Sequence, residues 1–409
     1  MRIILLIDMD AFFASVEIQS NPVLRSRPVA VVGSGKRTVI TTASYEARTY
    51  GVKTGMNVYE AKQLCPEIVF VVGNGRKYTY TCSELEKIYL RYTPLVEVYS
   101  VDESFIDITD SNHLFGGPIA IAAEIKHEIL STFGLRATVG ISHNKLLAKL
   151  ASDLAKPDGL MWITPDKAAE ILEDLPTDKL WGIGKSTQYA LKSIGISTCG
   201  ELGRASISVL RARFGVMGER LKAMGMGLYS SIVQPQEAEA KSIGHSLTLP
   251  RDVSNMTDIG AYILKLSEMV ARRVRKAALR GCVITAVIRY RSFKTFTRHR
   301  KIKVFTNDTH VIYNMAMEII NSERLKEPVR LLGVSLSGLI KDDGQLYLFD
   351  ENRRREALFR TMDALNDKYG ESTIQWAISG TKEALPHTPS LPRNGTNSID
   401  TTIIYTMSS

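Results

Sequence analysis

Nothing in this 409-residue chain approaches the run of about 20 apolar residues that a bilayer-spanning helix needs. The first apolar run, Ile3–Ile7, breaks at Asp8. So short a run is no secretory leader, and a cytoplasmic protein is expected. Cysteine is scarce too: Cys65, Cys82, Cys199 and Cys282 lie far apart, with no CxxC pair. That spacing argues against a disulfide framework or a cysteine-bound zinc and predicts reduced thiols. One region lacks acids. Between Arg272 and Lys303 stand twelve Lys or Arg and no Asp or Glu. Lys241–Lys341 holds 19 basic and 7 acidic residues, whereas the rest holds 33 and 36, so this region carries all of the chain's net +9. A solvated face is the plain explanation of a charge run. A one-signed run of this length repels itself, however, and makes most sense opposite a polyanion such as nucleic acid.

What is present begins with Asp102-Glu103, two adjacent acids between the apolar runs Val96–Tyr99 and Phe105–Ile108. Taken alone, the pair is a solvated hairpin tip. A second acidic feature changes that reading, because the buried-strand run Ile3–Ile7 ends in Asp8-Met9-Asp10. Carboxylates converging from two strand ends repel each other unless something positive lies between them, and hard divalent cations are the usual answer.

Residues 1–165 read as a mixed α+β domain, with helices expected on one face of a sheet. Strands are expected at Arg2–Ile7, Val29–Val32, Val39–Thr41, Ile68–Val72 and Arg136–Ile141, and Ser44 is a candidate helix cap. From Thr177 to about Ser231 the pattern is helical and glycine-punctuated. Leu180-Trp181-Gly182-Ile183-Gly184-Lys185 suits a hairpin between two helices, whose backbone N–H groups can approach a phosphate. A plain helical corner is the alternative, and Phe214–Gly218 is a weaker second copy. Residues 234–241 read as a linker. The basic region 242–340 has the order β-α-β-β-α-β. Its second hairpin strand carries basic residues at both parities, so alternation does not assign its binding face. Gln345-Leu346-Tyr347-Leu348-Phe349 either packs on its own domain or docks in a partner's hydrophobic groove. A helix follows with Leu358, Met362 and Leu365 on one side, and residues 385–409 have a disordered composition.

Five segments in order carry a resemblance: Asp8–Glu17, Thr42–Arg48, Ser100–Glu103, Val139–Ser142 and Leu154–Gly159. Together with the Gly-Ile-Gly hairpin they resemble the Y-family translesion DNA polymerases over roughly residues 1–340. The likeness is closest to the polymerase IV branch. The helix after Phe349 departs from its shortest chains and resembles the polymerase V catalytic subunits.

The resemblance implies a multidomain right hand. Palm and fingers would span 1–165, with fingers at about 20–75, a thumb with helix-hairpin-helix 166–233 and a little finger 242–340. A clamp-binding peptide and helix would occupy 341–384. It implies error-prone, template-directed DNA synthesis in DNA repair, without proofreading. Two Mg²⁺, with Mn²⁺ able to substitute, would be held by Asp8, Asp102, Glu103 and the Met9 carbonyl, with Asp10 outside the set. Thr42, Tyr45, Arg48 and Lys156 would contact the dNTP, and Phe13 would be the steric gate under its sugar. Gly182, Ile183, Gly184 and Lys185 would hold DNA phosphates, as would Arg298, Arg300, Lys301 and Lys303. Gln345, Leu346, Leu348 and Phe349 would dock on the sliding clamp. A nucleoid-associated monomer without membrane contact is expected. The rival readings are a nucleotidyl cyclase, which leaves the hairpin and basic module unexplained, and a catalytically silent DNA-binding relative.

Overall fold

The computed structural model describes residues 1–235, 239–342, 350–370 and 373–376. The peptide Gln345–Phe349 and the tail 385–409 lie outside the described residues. Two compact units emerge, one of residues 1–33 and 39–235, the other of 34–38 and the described residues from 239 onward. Among the described residues, no helix is long and apolar enough to cross a membrane.

The first unit is built on a five-stranded sheet. Its order is Val96–Val98, Glu103–Asp107, Ile4–Met9, Ala137–Ser142, Leu160–Trp162. Ile4–Met9 is central and buried throughout. Successive strand residues face opposite sides, and both sides of this strand find a core. Leu5 and Ile7 pack with Ile121, Ile125 and Ile129 of the helix Pro118–Phe133 and Leu85 of the helix Gly75–Tyr89. Ile4 and Leu6 pack with Phe105 and with Ala148 of the helix Lys145–Ala155. Helices therefore cover both faces, which corrects the expectation of one. An uninterrupted apolar run is what a strand buried on both faces requires.

The helix Lys145–Ala155 lies unusually close to the sheet. A Cβ on Gly140 would stand 2.1 Å from the Ala148 carbonyl oxygen and 2.3 Å from the Ser152 nitrogen. Buried Asn144 secures the start of this helix, accepting from the Leu147 N–H at 3.0 Å and donating to the Gly227 carbonyl at 2.9 Å.

A smaller sheet places Val29–Val32 between Ile40–Ala43 and Val69–Val72. The chain then enters the helix Tyr45–Thr49, which Ser44 caps by accepting from the Ala47 N–H. Further along, the short helices Pro165–Glu173, Lys185–Lys192, Cys199–Arg204, Ile207–Phe214 and Met217–Gly225 share a core around Leu172, Leu191, Leu202 and Leu210.

The second unit has the expected β-α-β-β-α-β order. Its antiparallel sheet runs Thr295–Thr306, Leu279–Tyr290, Val329–Ser337, Ser242–Val253. Ile284, Ala286 and Ile288 face a core with Ile259, Ile263 and Val270 of the helix Met256–Lys276 and Ile312, Ala316 and Ile319 of the helix Thr309–Asn321. The alternate residues Val283, Thr285, Val287 and Arg289 are only half-buried. The helix Asp350–Tyr369 belongs to this unit as well. Asp363 pairs with Arg275 at 2.7 Å, Asp367 pairs with Arg272 at 2.6 Å, and Phe359 is buried beneath the Arg275 guanidinium.

Candidate active site

Asp8 lies on the same face of the central strand as Ile4 and Leu6, and is 1% exposed. Antiparallel register sets Glu103 directly opposite it. Asp102 ends the turn that feeds Glu103 into its strand, and its carbonyl accepts from the Met9 N–H at 2.9 Å. The turn is closed by the Tyr99 and Ser100 N–H groups, which donate to the Glu103 carbonyl at 3.0 and 3.1 Å. The Ser100 hydroxyl donates to the Asp102 carboxylate at 2.5 Å. Like charges directly opposite across a sheet are unfavourable. Here burial worsens the conflict.

Two lysines reach the acids from below. Lys149 Nζ stands 2.8 Å from Glu103, 3.2 Å from Asp8 and 3.1 Å from Asp153. Lys156 Nζ stands 2.6 Å from Asp8. Burial pushes the Glu103 carboxyl up to about 7, with Lys149 opposing the rise and Asp8 adding to it. Burial also raises the Asp102 carboxyl, with the Ser100 hydroxyl opposing it. Burial alone would lower the Lys149 ammonium, but Glu103 and Asp8 outweigh it and hold it above its usual range.

Among the described residues, no three His, Cys, Asp or Glu side chains form a ready metal cluster. The donor chemistry nevertheless fits a hard divalent cation. It is all oxygen, from Asp8, Asp102, Glu103 and the Met9 carbonyl. The Lys149 ammonium between Asp8 and Glu103 marks where positive charge is demanded.

Asp10 stands apart. Its carboxylate accepts from the Tyr45 hydroxyl at 3.2 Å, the Thr138 hydroxyl at 3.0 Å and the Asp158 N–H at 2.7 Å. It is thereby occupied in tying three segments together. The Tyr45 hydroxyl is pushed up to about 12 by burial and by Asp10. The exposed Arg48 guanidinium sits 4.7 Å above the Tyr45 ring, and its Nε donates to the Ala43 carbonyl at 2.9 Å. Thr42, half-buried, lies on the adjoining strand. Phe13 stacks on Tyr78 with ring centroids 4.2 Å apart and 17° between planes. The Tyr78 hydroxyl donates to buried Glu17 at 2.9 Å, and Lys77 pairs with the same carboxylate.

The glycine hairpin stands in the same unit. Gly182 adopts φ +96° and Gly184 caps the helix that Lys185 begins. In the second unit, the hairpin strand divides. Arg298 and Arg300 pair in register with Ala286 and Ile284, on the helix-facing side, and reach Glu323 at 2.7 Å and Glu318 at 3.5 Å. Lys301 pairs with Val283 and so belongs to the open side, and Lys303 is exposed. Sequence reasoning had treated these four alike.

It also missed Lys149 and Tyr78. The signal for Lys149 was there to be seen: Lys145 and Lys149 fall four apart on a helix otherwise rich in Leu and Ala, and a lysine on a packed helical face needs an acid. Lys145 finds Glu97 at 2.7 Å.

A sheet with acids at the ends of two adjacent strands, bordered by lysines, offers the oxygen donors that a metal-assisted transfer reaction uses. Residues 7–153 match the impB/mucB/samB family, residues 178–229 the DNA polymerase-iota thumb domain, and residues 240–348 the impB/mucB/samB C-terminal domain. The chain is 39% identical over 381 residues to a DNA polymerase IV of Desulfatibacillum aliphaticivorans, covering 91% of this chain and 96% of that one. It is 35% identical over 390 residues to DNA polymerase IV 1 of Bacillus subtilis, covering 93% and 94%. A solved Y-family DNA polymerase chimera of Dbh and Dpo4 superposes with a TM-score of 0.75 at 28% identity, covering 83% of this chain and 99% of that one. The chain belongs to the Y family of DNA polymerases, whose members depend on metal.

Proposed function

We infer that this protein is a DNA-directed DNA polymerase that carries out translesion synthesis, extending a primer 3′-OH from dNTPs without proofreading. The observation that carries the reading is the juxtaposition of Asp8 and Glu103 across one strand pair, with Asp102 in the adjoining turn and Lys156 against Asp8.

Asp8, Asp102, Glu103 and the Met9 carbonyl are the residues that would hold two Mg²⁺. Bound ions would stabilise both the attacking and the leaving oxygen of an in-line displacement at the α-phosphate. The chain's own cations do the rest. Arg48 offers a planar fork and Lys156 a point charge to the triphosphate. Tyr45, held by Asp10, adds a hydroxyl, and Thr42 a second. Phe13 closes the space beneath the sugar, and its ring is kept in place by Tyr78. The Gly182–Lys185 turn grips backbone phosphates without reading sequence. The open face of the second unit's sheet, with Lys301, meets the duplex.

Primer extension with four dNTPs and Mg²⁺ tests the reading. Extension that disappears in Asp102→Ala/Glu103→Ala supports it, while extension that survives there, or none from the parent chain, overturns it. The latter outcome would favour a silent DNA-binding relative. Gln345–Phe349 carries a second reading, a docking peptide for a sliding clamp that raises the effective concentration at the primer end. Its deletion is expected to spare bare extension and abolish stimulation by clamp.

A further inference from the structure

We propose that Trp181 is a positioning residue that keys the phosphate-gripping turn to the hairpin bearing the acids, so that bound DNA and the catalytic carboxylates keep one register. The inference rests on the polymerase reading above.

Trp181 directly precedes Gly182, whose φ of +96° shapes the turn. The indole leaves that turn and contacts both arms of the acid hairpin. On one arm Tyr99 meets it edge-on, with centroids 5.2 Å apart and planes at 88°. On the other arm Phe105 lies 5.7 Å away. These two residues bracket the acids. Tyr99 donates its N–H to the Glu103 carbonyl at 3.0 Å, and Phe105 lies two residues beyond Glu103, on the same strand face.

The contact is braced by its neighbours. Phe105 is fully buried, and the Lys145 ammonium lies 4.9 Å from its ring centroid. Lys145 is anchored by Glu97, which also accepts from the Gln234 N–H at 2.8 Å. Tyr229, just past the last helix of the unit, stands 5.8 Å from the indole. Edge-on and tilted aromatic pairs fix orientation as well as distance. Leu180 and Ile183, flanking Trp181 and Gly182, sit in the helical core. A shift of the turn therefore moves an indole lodged between the two arms that carry Asp102 and Glu103. The indole is partly buried and its ring contacts are all to protein side chains, so the role assigned to it is one of geometry. A misplacement of about 1 Å at a reacting centre costs on the order of a hundredfold in rate.

Full-length Trp181→Ala, Trp181→Phe and Lys185→Ala are compared with the parent chain by primer–template affinity, single-turnover insertion rate, dNTP KM and thermal melting. For Trp181→Ala the expected result is an insertion rate lower by about tenfold or more, with DNA affinity and dNTP KM within about twofold. Trp181→Phe, which keeps the aromatic contacts, is expected to recover most of the rate. Lys185→Ala is expected to weaken DNA binding instead. The proposal is overturned if Trp181→Ala inserts at the parental rate. It is equally overturned if rate, affinity and melting temperature fall together and Trp181→Phe restores none of them, which marks a merely structural core residue. Unchanged DNA affinity in Lys185→Ala would instead remove the phosphate-gripping role of the turn, and the proposal with it. Absence of extension by the parent chain would remove the polymerase reading itself.

Discussion

Lys149 shows what single residues decide here. Its ammonium lies within 3.2 Å of Asp8, Glu103 and Asp153, and it neutralises a pair that sheet register forces together. Removing one partner of a buried charge pair costs up to about 3–5 kcal/mol; here Glu103 loses its cation while Asp8 keeps Lys156. Lys149→Met is therefore expected to lower the melting temperature in EDTA. Added Mg²⁺ should recover more stability in the variant than in the parent, since an ion binding only the folded state stabilises it by mass action. Thermal melts of both proteins across a Mg²⁺ series check this. An unchanged melting temperature in EDTA would mean that the acids do not depend on Lys149. Asp8, Asp102 and Glu103 were legible as candidates because acids that end apolar strands are conspicuous. For Lys149 the helical spacing with Lys145 signalled only that a lysine on a packed face needs an acid, and which acids it meets was not legible until the opposing strands are placed.

Elements settled questions that residue type could not. The strand Thr295–Thr306 has basic residues on both faces, and only its pairing with Leu279–Tyr290 separates them. Arg298 and Arg300 fall on the helix side and find Glu323 and Glu318, whereas Lys301 falls on the open side opposite Val283. Lys301→Ala is accordingly expected to weaken primer–template binding at low salt more than Arg300→Ala does. Removing a cation that neutralises one phosphate should also flatten the slope of log K against log salt by about 0.9. Titrations of both variants over a salt series read this directly. A larger loss for Arg300→Ala would reverse the assignment of faces. The same logic explains why one face was expected to carry the helices of the first sheet and two do. Ile3–Ile7 shows burial without saying by what, and the second cover comes from the helix Lys145–Ala155, whose approach depends on the missing side chain of Gly140.

Across the whole molecule, charge is partitioned rather than spread. Lys241–Lys341 carries 19 basic against 7 acidic residues, and the remainder is close to balance. Some of that charge is neutralised internally, since Arg272 and Arg275 pair with Asp367 and Asp363 of the helix Asp350–Tyr369. What is left still favours a polyanion. If the full chain neutralises about five phosphates, log K should fall with log salt at a slope of about −4.5. Fluorescence anisotropy of a labelled primer–template between low and physiological salt measures it. A nearly flat dependence would separate the basic region from DNA.

The sequence by itself determined the local facts: which runs are strands, where acids end them, where glycines make a turn, and that one region is basic. Those facts follow from side-chain periodicity and charge, which act over a few residues. Tertiary structure alone decided that Glu103 faces Asp8, that Asp10 is consumed by Tyr45, Thr138 and Asp158, and that Trp181 rests between Tyr99 and Phe105. Each of these joins segments distant in the chain. Strand register and packing choose such partners, and neither leaves a mark in the residues on one side alone.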